Sequence, residues 1–176
     1  MSTIFTAAGR YFDFAAPESA YIEIGEIAHA LSHLCRFTGH VREFYSVAEH
    51  SWHVSHLVPP ADALAGLLHD APEAFIGDVA RPLKALLPDY RAIEARVEAA
   101  VLGCFGLDPQ LPASVKAADR DMLRVEQVQA MRAGGQDWSS TAGSFAHPAA
   151  RLVELRFWEP RQARMMFLRR FEELTA

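Results

Sequence analysis

The stretch LLHDAPEAF, residues 67–75, sets a histidine and an aspartate side by side, His69 and Asp70, in an otherwise apolar run. Burying an unpaired charge is expensive, so the pair needs a partner that a hydrophobic core does not supply. Imidazole nitrogen and carboxylate oxygen together suit Mn, Fe, Co or Zn, with open positions left for water. Two ligands are too few. His50 in VAEHS and Asp119 in SVKAAD are the candidates for a third and a fourth, a His–His–Asp–Asp set drawn from three helices of a bundle. Glu73 follows His69 by four residues and Asp70 by three. If the helix persists through Pro72, all three lie near one face, and Glu73 is placed to orient a bound water or exchange a proton with it. Asp78 in GDVARP can assist at a turn. Taken alone, Glu73 reads equally as a solvated helix residue and Asp78 as a turn or cap residue.

The elements that must position these groups are nearly all helical. Apolar residues at Ile24, Ile27, Ala28, Leu31 and Leu34 recur at helical spacing and predict a helix over 24–37. A second helix is predicted over 46–58 with Ser46 as N-cap, ended by Pro59 and Pro60. A third spans ADALAGLLHDAPEAF, which Pro72 should break or kink just after the His-Asp pair. A short helix follows GDVARP. A long amphipathic helix leads to Gly106, another starts at Pro112, and the last covers 159–174. Residues 1–22 read as an irregular arm with a short strand at RYFDF, and the Gly- and Ser-rich segment 133–150, around Trp138, as a loop able to cover a site or to move freely. The fold class expected is all-α, a multi-helix bundle with an irregular N-terminal arm.

Composition narrows the function. The chain has 176 residues, which favours one domain with a sizeable core. Its net charge of −5 argues against a nucleic-acid or anionic-membrane partner, which a basic patch would attract. The first residues lack a signal-peptide pattern, and the longest apolar runs fall short of the roughly 20 residues that span a bilayer. Cys35 and Cys104 form no metal-knuckle spacing and read as buried thiols of a cytoplasmic protein. His29, His33, His53 and His56 read as surface residues of the first two helices. His29 and His33 share the i, i+4 spacing of zinc peptidases, but Ala30 stands where that motif needs glutamate.

The segments EHS (49–51), LLHDAPEAFIGD (67–78), RPLK (81–84) and SVKAAD (114–119), in that order, resemble the HD-domain phosphohydrolases. More narrowly they resemble the bacterial HD-domain 5′-deoxynucleotidases. The resemblance implies a single HD-type helical domain over 1–176 and one divalent cation (Mn, Co, Fe, Zn or Mg) on His50, His69, Asp70 and Asp119. It implies Glu73 and Asp78 as catalytic carboxylates, and a homo-oligomer acting on a small-molecule nucleotide. Arg36 and Phe37 in CRFTGH stand where the narrower family has a basic–aromatic pair near the substrate's phosphate and sugar; that family often has tryptophan at the position of Phe37. Pro82 and Lys84 match the family's segment after GD, which makes Lys84, with Arg36, a candidate for the phosphate charge. The reaction expected is hydrolysis of a (deoxy)nucleoside 5′-monophosphate to nucleoside and phosphate. TGHVREFYS departs from the nucleotidases and fits phage-type enzymes that remove triphosphate from dATP, the alternative activity. A catalytically silent HD ligand-binding module is the alternative of another class.

Overall fold

The computed structural model describes residues 2–131 and 144–176. Its order is β1 (Thr3–Phe5), β2 (Tyr11–Asp13), α1 (Ile24–His33), α2 (Val47–Leu57), α3 (Ala63–Leu68), α4 (Glu73–Ile76), α5 (Arg81–Lys84), α6 (Pro88–Cys104), α7 (Ala113–Gln129) and α8 (Pro160–Thr175). The helical class read from the sequence is what forms. The arm is more ordered than its composition suggests. RYFDF supplies β2, and β1, too short to show alternation, pairs with it antiparallel through Ile4 opposite Phe12. Phe12 is buried and its ring stacks on Phe75 of α4 at 4.2 Å, which ties the arm to the segment carrying Glu73.

Two departures from the expected helices matter for the site. First, α1 ends at His33, not near Phe37. Leu34 turns extended, and the chain pairs with the approach to α2: Arg36 N–H donates to Tyr45 O and Val47 N–H to Leu34 O. Arg36 is thereby drawn inward and buried. Phe37 and Thr38 then take left-handed backbone angles, φ 55° and 54°. Such angles cost free energy outside glycine. Second, α3 stops at Leu68, before the His-Asp pair instead of after it. Pro72 has no N–H to give to Leu68 O, so Ala71 N–H takes that carbonyl at 3.0 Å and the chain tightens into a turn. A regular helix would splay adjacent side chains by about 100°. Through this turn His69 Nε2 and Asp70 Oδ2 come within 3.2 Å.

α2 is the central strut. It gives Val47 and Ala48 to one apolar cluster, shared with α1, α3, α4, α6 and α8, and Val54, with Val58 just past its end, to a second, shared with α3 and α7. Gly66 of α3 lets it approach closely, since a Cβ there would meet Val58 Cγ2 at 3.1 Å and Ser55 Cα at 3.2 Å. Ser46 caps α2 as expected, its Oγ accepting from Glu49 N–H at 3.1 Å. Ser46 and Glu49 have capping-box spacing, yet the Glu49 side chain does not turn back to close the box. It is wholly buried and accepts the backbone N–H groups of Arg156, Phe157 and Trp158 at 2.6, 3.0 and 2.7 Å, holding the approach to α8 against α2. Gly106, φ 69°, follows α6 as read.

Three further readings are corrected. His53 is not on the surface; it is buried, its Nε2 3.7 Å from Glu49 Oε1. Cys104 is exposed and Cys35 half-buried, both free thiols. Of the loop read over 133–150, residues 144–150 are anchored: Asp121 accepts the N–H groups of Ala146 and His147 at 3.1 and 2.7 Å. Residues 133–143, with Trp138, lie outside the described residues.

The Glu49 clamp yields a stability prediction. Glu49→Ala strands three backbone donors, that of Trp158 buried and those of Arg156 and Phe157 partly so, and should lower unfolding free energy by about 2–4 kcal/mol. Glu49→Gln, whose amide oxygen in the place of Oε1 still accepts from Arg156 and Phe157, should cost less. Urea unfolding measures both; a change for the alanine variant within about 0.5 kcal/mol of zero, as at an ordinary surface position, contradicts the clamp.

Candidate metal centre

Each imidazole of the His-Asp group is forced into one tautomer. His50, on α2, places Nδ1 2.6 Å from Glu126 Oε1. Burial alone would raise the Glu126 carboxyl, but Arg36 and His50 outweigh it and hold it below the usual range, so it only accepts. His69 places Nδ1 2.9 Å from Gly66 O, which also only accepts. Both Nδ1 atoms must therefore donate. That leaves both Nε2 atoms facing each other 3.3 Å apart. Two imidazole lone pairs do not bond to one another, so the contact calls either for a proton on one Nε2 or for a cation between them.

The carboxylates complete the arrangement. Asp119, from α7, brings Oδ1 to 3.4 Å of His50 Nε2. Asp70 brings Oδ2 to 3.6 Å of His50 Nε2 and 3.2 Å of His69 Nε2. A first-row divalent ion with ligand bonds of about 2.0–2.2 Å separates neighbouring donor atoms by roughly 2.8–3.6 Å. The spacings from each carboxylate to the histidines, and between the two Nε2 atoms, fall within or near that range. His50, His69 and Asp119 form a group able to hold a metal ion, and Asp70 lies against both histidines of it. The donor set of two imidazoles and two carboxylates fits the borderline ions expected.

Protonation divides the surrounding carboxylates into two kinds. Burial works against the charge of Asp70, but His69, His50 and Arg36 hold it well below the usual carboxylate range. Asp119 is likewise brought down to about 2, burial being outweighed by the hydrogen bond with His50. Glu73 goes the other way. It is buried, and burial together with the negative Asp70 and Asp78 pushes its carboxyl well above the ordinary value. Asp78 is raised by burial and by Asp70, against the pull of Arg36. The surface reading of Glu73 and the cap reading of Asp78 are both set aside: Glu73 faces inward, and Asp78 Oδ2 sits 4.0 Å from Arg36 Nη1.

Arg36 lies where it can meet an anion. Its Nη2 donates to Glu126 Oε2 at 3.0 Å, and its Nη1 is 3.7 Å from Asp70 Oδ2. Phe37, half-buried, sets its ring 5.2 Å from the Arg36 guanidinium carbon. Lys84 is not on the metal group. Its Nζ donates to Glu94 Oε1 at 2.5 Å and lies 3.9 Å from Glu73 Oε1, so its charge is already answered from α6. Arg81, largely exposed, places Nη2 3.7 Å from Asp119 Oδ2.

Glu126 is the residue that sequence reasoning passed over. Its signal was present: it follows Asp119 by seven residues, two turns of α7, and so shares a face with a ligand candidate. An acidic residue in a long charged helix reads first as solvated, which hid it.

The fold and centre define a helical bundle with a buried His-Asp group fit for a divalent ion; among the described residues no helix is long and apolar enough to cross a membrane. The chain is 38% identical over 175 residues to the uncharacterized protein YfdR of Escherichia coli, covering 99% of this chain and 97% of that protein. It is 41% identical over 135 residues to the uncharacterized protein RCAP_rcc00048 of Rhodobacter capsulatus, covering 69% of each. The chain belongs to the YfdR family. No family model matches it.

The metal-free centre has a definite pH response. Burial and Arg36 oppose a charge on His50, but Glu126 and Asp119 overcome both and raise it to about 9. The folded protein thus keeps a proton that the unfolded chain releases near pH 6.5, and the stabilisation is complete below that pH and lost as pH rises through 9. Chelator-treated protein should lose stability by about 3 kcal/mol from pH 6.5 to 9, the equivalent of that shift. With Mn²⁺ or Co²⁺ added, the imidazole must be neutral to bind, so stabilisation by the ion should grow with pH instead. Thermal melts across this range, with and without metal, make the comparison; parallel pH trends would refute it.

Proposed function

We propose that this protein is a divalent-metal-dependent phosphohydrolase of HD-domain type, acting on a (deoxy)nucleoside 5′-monophosphate and releasing nucleoside and phosphate. The observation that carries the reading is the meeting of two unlike sets of groups in one place. Donor atoms of His50, His69 and Asp119 converge at ligand spacing, Asp70 lies against both histidines, and Arg36, Glu73 and Asp78 border them. The order His, His-Asp, Asp along the chain, shared with the HD-domain phosphohydrolases, points the same way.

A divalent ion held there supplies Lewis acidity and a water of lowered pKa. The protein's own groups do the rest. Arg36 binds phosphoryl oxygens through its planar fork and answers their charge. Water adds to phosphorus as the P–O ester bond breaks. Glu73, kept protonated by its surroundings, gives its proton to the departing 5′-oxygen, and the proton lost by the water returns to Glu73 through solvent. Asp78 helps hold Arg36 and keeps a second negative group near Glu73. Phe37 offers an apolar face beside the guanidinium for the sugar.

The triphosphohydrolase alternative needs cations for three phosphates. Lys84 is committed to Glu94, and Arg42 and Lys116 are exposed, so the monophosphate is the simpler fit. Arg81, near Asp119 and open to solvent, is the one observation that favours the longer substrate.

The test is a product assay with Mn²⁺ or Co²⁺ across dNMPs, NMPs and dNTPs, separating phosphate from triphosphate. Asp70→Ala should lose both bound metal and turnover. Glu73→Gln should keep the metal and lose turnover by about 10²–10⁴-fold, the range of a general acid. Full turnover in a metal-free Asp70 variant, or stoichiometric metal with no hydrolysis by the native chain, would overturn the reading; the second outcome fits the silent binding module.

A further inference from the structure

Glu126 is not itself in the group able to hold a metal ion, yet its two oxygens reach one member of that group and the cation beside it. Oε1 accepts from His50 Nδ1 at 2.6 Å and Oε2 from Arg36 Nη2 at 3.0 Å. Glu126 and His50 are wholly buried and Arg36 is 8% exposed. In such surroundings each charge depends on its partner, because water is not there to replace it. Burial opposes the charge on Arg36, and Glu126 is the first of the carboxylates that keep it. Arg36 Nη1 meanwhile looks toward Asp70, 3.7 Å away, and Asp78, 4.0 Å away, and its Nε has no hydrogen-bond partner among the described residues. The guanidinium is thus held by one corner, with donors left over beside the metal group.

We infer that Glu126 is a positioning residue that couples metal binding to anion binding. It fixes the His50 ring with Nε2 toward the ion, and the same carboxylate fixes Arg36 toward a phosphoryl group at that ion. Asp119 and Glu126 both ride on α7, so a shift of that helix moves a ligand and this bridge together. Coupling of this kind is reciprocal: whatever an ion does for phosphate, phosphate does for the ion. The inference rests on the metal-binding part of the proposed function and not on the hydrolysis.

The experiment titrates the full chain with Co²⁺, followed by the ion's visible absorption, with and without inorganic phosphate. The native protein should bind Co²⁺ more tightly when phosphate is present. Glu126→Gln keeps an oxygen for Nδ1–H but turns an amide toward Arg36. Co²⁺ affinity should fall about 10–100-fold, as for other outer partners of metal histidines, and phosphate should no longer tighten it. Arg36→Met should keep Co²⁺ affinity within a few fold and lose the phosphate effect. If Glu126→Gln alone folds poorly, the Arg36→Met/Glu126→Gln double variant removes both charges. It should fold, bind Co²⁺ as weakly as Glu126→Gln, and show no phosphate effect. Native-like Co²⁺ affinity and phosphate enhancement in the Glu126 variants overturn the inference, and so does a native chain whose Co²⁺ affinity ignores phosphate. A native chain that shows the coupling but hydrolyses no phosphoester leaves the inference standing and removes the hydrolase reading.

Discussion

The 2.6 Å hydrogen bond between His50 and Glu126, shut away from water, is the contact on which the rest of the centre depends. It sets the tautomer of one histidine, and through the other oxygen of the same carboxylate it sets the position of Arg36. A buried ion pair of this sort adds little to net stability, because desolvation consumes most of the attraction. Breaking it is another matter, since the orphaned charge stays where it is. The arrangement therefore acts as a constraint: α2, α7 and the turn carrying Arg36 have to meet in one relation, or a charge is left alone in the interior.

From that constraint the chemistry of the carboxylates follows. Five acidic side chains, those of Asp70, Glu73, Asp78, Asp119 and Glu126, crowd a small volume, and they cannot all be charged alike. Those touching a histidine or Arg36 closely, Asp70, Asp119 and Glu126, are held ionised. Glu73, whose cation Lys84 stands off at 3.9 Å and is shared with Glu94, is instead pushed well above the usual carboxylate range by burial and by Asp70 and Asp78. Environments that push neighbouring carboxyl groups apart in this way separate those that bind charge from those that carry protons. No second acid needs to be recruited from outside the cluster.

Much of this was legible in the sequence, and the remainder was hidden for identifiable reasons. The helical class showed in the period of Ile24, Ile27, Leu31 and their successors, and the Ser46 cap in its residue type and place. His69, Asp70, His50 and Asp119 showed as polar groups at inward positions. The break at Pro72 was legible, but its placement was not: a proline withholds its N–H from a carbonyl one turn earlier, so the last α-helical residue lies upstream of the proline by that turn, before the His-Asp pair. Glu49 and Glu126 were illegible because a helix sequence does not say which of its charged residues face inward; the partners that decide it, residues 156–158 and Arg36 with His50, lie about a hundred, ninety and seventy-six residues away. Lys84 read as a phosphate cation because Glu94, which claims it, lies on the next helix.

The supports outside the centre explain how so much buried charge is held without a rigid sheet beneath it. α2 has an apolar cluster on each side, so its rotation is fixed by Val47 and Ala48 against one and Val54 against the other, with Val58 packed just past its end. Glu49, one residue before His50, then fastens the same turn of α2 to the entry of α8 by three backbone donors. Neighbouring residues on a helix point about 100° apart, so a clamp on Glu49 fixes the direction of His50 without occupying its space. On the far side Phe12 stacks on Phe75 and holds α4, which positions Glu73. The β1–β2 hairpin carries no candidate ligand, yet it reaches the site through that ring pair. A bundle can therefore hold an imidazole still to the tolerance a metal needs when two dissimilar anchors, apolar packing and a captured carboxylate, act on the same helical turn.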